Sequence, residues 1–96
     1  MIYAKDAHEI SEKNNYEKEM INFSVKKVLI LFDEKINKVA NYGGFGCFIK
    51  KSDIKDTIND IFVKTEKVMD SVAVELKSYG YNVSIPQSYT SIHVDW

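Results

Sequence analysis

Ninety-six residues, 45% of them hydrophobic and including five Phe, six Tyr and one Trp, suit a chain folded round one core. A chain this short buries only about 60–65% of its unfolded surface and has too little to divide. Thirteen basic against fourteen acidic residues leave a net charge of −1, so no global field draws phosphate backbones or anionic membranes, and a membrane partner is not expected. All thirteen basic residues are Lys; without the guanidinium fork that reads guanine edges, sequence-specific nucleic-acid binding is not expected either.

Residues 1–14 read as a short polar helix, Met1 to Lys13, with Ile2, Ala7 and Ile10 as a thin apolar stripe and Asn14-Asn15 as its stop. A helix of this length is marginal alone in water, so it must dock on the domain or pair with another copy. From Tyr16 to Asn41, Ile21, Val25, Val28, Phe32, Ile36 and Val39 recur at steps of three and four and line one helical face, which Gly43 and Gly44 end. The run Val28-Leu29-Ile30-Leu31-Phe32 would look similar as a buried strand; the periodicity on both sides of it favours helix.

Phe45 to Lys51 reads as a strand, with Phe45, Cys47 and Ile49 facing one way and Phe48 and Lys50 the other. Ser52 or Asp53 is placed to cap the next helix. Ile54, Ile58, Ile61, Thr65, Val68, Val72, Leu76 and Tyr79 then keep helical spacing up to a Gly80 cap. The cluster Ile61-Phe62-Val63 can break that helix into a short piece before about Phe62 and a longer one after about Glu66, or leave it whole. Tyr81, Val83 and Ile85 alternate with Asn82 and Ser84; beyond a Pro86-Gln87-Ser88 turn, Ile92, Val94 and Trp96 alternate with Ser91, His93 and Asp95, which reads as a β-hairpin. The expected fold is α+β: a three-stranded antiparallel sheet with helices on one face, order α-α-β-α-β-β, in a single domain of residues 1–96.

Gly43 to Gly46 reads as a helix stop and the start of a strand. A phosphate cradle would follow a strand and open a helix, whereas this one follows a helix; an RNA-reading strand would want its aromatics on one face, which Phe45 and Phe48 do not share. His8 and His93 are far apart and lack zinc-type spacing, so no metal site is expected. Ser91, His93 and Asp95 sit two apart along one strand and form a row rather than a converging triad, so no catalytic residue is assigned and no cofactor is expected. Cys47 among aromatics reads as a small buried hydrophobe, and as the one thiol of the chain it cannot form an internal disulfide, which suits a reducing compartment. The charged N-terminus lacks the apolar core of a signal peptide, and the longest apolar run is too short to span a bilayer. The candidate binding surface is the wet face of the sheet: Phe48, Lys50, Asn82, Ser84, Ser91, His93 and Asp95, rimmed by Tyr89.

Four segments carry a resemblance: AKDAHEISEKNN at the start, INKVANYGGFGCFI in the middle, LKSYGYNV before the hairpin and YTSIHVDW at the end, together 42 of the 96 residues. The pattern resembles a group of small proteins encoded by bacteriophages and prophages, in which an A-K-x-A helix, a helix ending before a Gly-containing strand, a G-Y-x-V strand and a terminal I-x-W strand recur in that order. The stretch from Ser52 to Glu66 is longer here than is typical. The resemblance implies a non-enzymatic accessory protein in the host-cell cytoplasm that acts by binding a host or phage protein, for instance to blunt a host defence. Two other expectations stand beside it: sequestration of a small signalling nucleotide through Lys50 with Phe48 or Tyr89, and a role as a virion or assembly component. The thin N-terminal helix and the terminal Trp96 also suggest a homo-oligomer.

Overall fold

The computed structural model describes residues 4–96, and for residues 9–17 the backbone course alone. A single helix, α1, Ala4–Asn41, runs for 38 residues and gives the molecule its long axis of 59 Å against 25 and 24 Å across. After it come β1 (Gly46–Lys50), α2 (Lys51–Ile58), α3 (Thr65–Ser78), β2 (Asn82–Ser84) and β3 (Ser91–Asp95). The α+β class and the three-stranded antiparallel sheet stand as read from the sequence, with strand order β1-β3-β2.

The stop expected at Asn14-Asn15 does not occur, because α1 continues through it. Asn costs a helix interior at most about 0.7 kcal/mol, and a stop needs a residue that leaves helical geometry. Neither Asn has a positive φ, whereas Gly43, at +83°, does. At Gly43 the helix closes as a Schellman motif: the Gly44 N–H donates to the Val39 carbonyl at 2.9 Å and the Gly43 N–H to Ala40 at 2.9 Å. Helix α3 ends identically, with Gly80 at φ +93° and the Tyr81 N–H donating to the Leu76 carbonyl at 3.2 Å.

The expected cap at Ser52 or Asp53 is also corrected. Helix α2 starts at Lys51 directly off β1, and its N-cap, Lys50, makes no side-chain capping bond. The Lys51 N–H donates instead to the Thr90 carbonyl at 2.9 Å, so the sheet ladder itself anchors the first turn. Of the two versions left open for the stretch that follows, the broken one occurs, as α2 and α3. Asn59, at φ +48°, ends α2, and the Asp60 carboxylate accepts the Phe62 N–H at 2.9 Å in an Asx turn. Val63 is buried by that turn while Ile61 and Phe62 are left exposed.

One core lies between the helices and one face of the sheet. Val25, Val28, Phe32 and Ile36 of α1, Ile54 and Ile58 of α2, and Val68, Met69, Val72 and Leu76 of α3 close over Ile49, Ile92 and Val94, all buried, with Cys47 and Val83 at its margin. Phe45, expected on this face, is instead exposed just ahead of β1. Among the described side chains of α1, those that join this core run from Met20 onward, and none ahead of Met20 is buried. None of the described helices is long and apolar enough to cross a membrane.

Candidate binding face

Strict alternation sorts the sheet into two faces. Pairing of Val94 with Cys47 and with Val83, and of Ile49 with Ile92, puts the apolar rows inward. The outward rows are therefore Gly46–Asp95–Asn82, Phe48–His93–Ser84 and Lys50–Ser91. Seven of the eight residues singled out in the sequence, Phe48, Lys50, Asn82, Ser84, Ser91, His93 and Asp95, thus share one face.

Tyr89 does not belong with them. Its phenol donates to both carboxylate oxygens of Asp70 on α3, at 3.0 and 3.2 Å, which ties it to the helical layer. A positive φ of 53° at Tyr89 turns the chain that way, and alternation along a strand cannot anticipate such a residue.

In the middle row the Phe48 and His93 rings stack with centroids 5.3 Å apart and planes 23° from parallel. His93 Nε2 lies 2.8 Å from Ser91 Oγ, a hydrogen bond whose donor depends on the imidazole tautomer. Ser91 is only 7% exposed despite its place on the outer face. From outside the sheet, Lys35 of α1 reaches the edge strand. Its ammonium donates to the Phe48 carbonyl at 2.7 Å and sits 5.3 Å from the centre of the Phe48 ring. The carbonyl is free to accept because, in an antiparallel ladder, alternate residues of an edge strand point their polar groups outward.

Beside this stacked pair the surface sinks into an open hollow of about 430 Å³ over Gly46, between Phe48, His93, Asn82, Ser84 and Asp95. Its cause lies in the sequence: one row holds a residue with no side chain, and its neighbours across the ladder are short or polar. Asp95 is the one formally charged residue lining it, while Lys50, one row beyond Phe48, does not line it. Cys47 and Val94 form part of the lining from the inner side, and burial pushes the Cys47 thiol above its ordinary pKa, with the Lys35 ammonium opposing that rise.

Gly46 and Lys35 were not singled out from the sequence. A Gly on the outer row of a strand was signal enough for a depression, but nothing local marks Lys35, whose role depends on how α1 crosses the edge of β1. No group of His, Cys, Asp and Glu among the described residues is placed to hold a metal ion. Ser91, His93 and Asp95 lie in a row along β3, with one hydrogen bond between the first two. The fold and the site thus define a small α+β domain that presents the outer face of its sheet. No protein-family model, curated protein or solved structure matches the chain.

Proposed function

We propose that this chain acts by binding rather than by turnover, and that the outer face of the sheet is where it binds. The observation that carries the reading is the hollow over Gly46, walled on one side by the stacked Phe48–His93 pair and rimmed by Asn82, Ser84 and Asp95. Rigid aromatics beside short polar groups form the kind of surface in which a protruding side chain of a partner is held and oriented. The acidic rim favours a donor-rich anchor such as Lys or Arg. It disfavours the phosphates of a nucleotide, because Asp95 lines the hollow and Lys50 lies outside it. With the resemblance to phage-encoded accessory proteins, the reading is of an accessory protein whose target is a protein of the host, such as a component of its defence.

The test is affinity capture from lysate of infected cells with the wild-type chain and with Asp95→Lys, followed by a native mass of the eluate. The expected result is a protein recovered by the wild type and lost with the charge reversal. Equal recovery with both, or a bound nucleotide mass in place of a protein, contradicts the reading.

A further inference from the structure

We infer that two copies of this chain pair antiparallel along α1, with Phe23 at the twofold axis. The inference is independent of the sheet face, which α1 leaves open.

Its starting point is a second apolar line on α1. Tyr16, Met20, Phe23, Lys27 and Ile30 follow one another at steps of four, three, four and three, the spacing of a helix–helix seam. At about 100° per residue this line lies roughly 165° round the helix from the buried stripe of Val25, Val28, Phe32 and Ile36. Met20, at its flank, packs in part against the core, and Ile30 borders an open hollow beside Leu76, Tyr79 and Tyr81, which leaves Phe23 the most outward-facing of the line's described side chains. Phe23 is 56% and Ile30 62% exposed, although each could be buried by a helix laid alongside. The Lys27 ammonium stands 4.7 Å over the Phe23 ring, leaving its aliphatic stem along the same line.

Charge supplies the occupant and its direction. Residues 4–19 hold three Lys and five Asp or Glu, a net −2, while residues 20–41 hold four Lys and two acids, a net +2. Antiparallel pairing sets each acidic half against a basic half; parallel pairing sets like against like. With Phe23 opposite its own copy, position 16 comes level with Ile30, Glu19 with Lys27, and position 13 with Asp33, two of these three matches being of opposite charge. Among the described side chains of α1 ahead of Met20 none is buried, and this pairing gives that part of the helix a surface to lie against. It also places the two bodies at opposite ends, with both sheet faces clear.

The test is sedimentation of the wild type across a concentration range, with disulfide trapping in a Cys47→Ser background. Phe23→Cys, at an exposed position that leaves the core intact, is expected to form a covalent dimer on mild oxidation. Ile30→Cys alone is expected not to: in the antiparallel pair two copies of position 30 lie roughly 21 Å apart, beyond the ~7 Å that a disulfide spans. Mixing Tyr16→Cys with Ile30→Cys chains is expected to restore trapping. A monomer at every concentration overturns the inference. So does a dimer in which Ile30→Cys traps as readily as Phe23→Cys, which means parallel helices, or one in which Phe23→Cys fails to trap.

Discussion

Ser91 is buried, and its hydroxyl is joined to His93 Nε2 by a 2.8 Å hydrogen bond on the outer face of the sheet. A residue of the candidate binding surface therefore also holds the central strand together. His93→Ala leaves the Ser91 hydroxyl without that partner and is expected to cost about 1–3 kcal/mol. Adding Ser91→Ala should recover part of the loss, because no stranded polar group then remains. Urea unfolding of the two single variants and the double variant closes the cycle; additive losses would show that the bond contributes nothing.

A second hydrogen bond gives a pH dependence. Tyr89 donates to Asp70, and this bond, reinforced by the carboxylate's charge, holds the phenol above its ordinary pKa. A group whose folded pKa is raised contributes stability that is complete below its unfolded value, about 10 for Tyr, and is lost as pH rises through the folded value. Between about pH 8 and about pH 11, Tyr89→Phe is therefore expected to lose less stability than the wild type. Parallel urea titrations of both proteins read that difference, and identical slopes would contradict it.

Gly44 is fixed by space rather than by its dihedral angles. A Cβ built there would lie 2.5 Å from Val39 Cγ1 and 3.3 Å from the Val39 carbonyl oxygen. A valine in a helix has essentially one rotamer with which to move aside. Gly44→Ala is expected to cost about 1–3 kcal/mol, read as a lower urea midpoint with an unchanged slope. Val39→Ala in the same chain should relieve most of that loss.

Cys47 reports on the hollow without altering it. Burial holds its thiol less acidic than a free cysteine, so at neutral pH a thiol reagent should modify it more slowly in the folded protein than in urea. Lys35→Ala removes the one opposing influence and should slow the reaction further. A partner seated in the hollow should protect the thiol, since Cys47 is part of its lining.

What could be read from the sequence follows the range of the physics. Alternation over two residues and recurrence over three or four are local, and they placed the inward and outward sides of β1 and β3, the buried stripe of α1 and the glycine that closes each long helix. The same logic collected seven of the outer-face residues. It failed where a distant element decides. Asn14-Asn15 looks like a stop because helices often end at Asn, yet α1 runs through both at a small propensity cost. Tyr89 leaves the face because Asp70, nineteen residues earlier, draws its hydroxyl to the other layer. The Lys51 anchor on Thr90 likewise replaced a side-chain cap with a bond from across the sheet.

The central claim is that the hollow beside Phe48 and His93 is the contact surface. It is tested most directly by an NMR titration of the isotope-labelled chain with the protein recovered in the capture experiment. The account predicts shifts concentrated at Gly46, Phe48, Asn82, Ser84, His93 and Asp95, with residues of α3 unmoved. Unchanged signals at those six positions while the Ile61-Phe62 turn or α3 responds would contradict it.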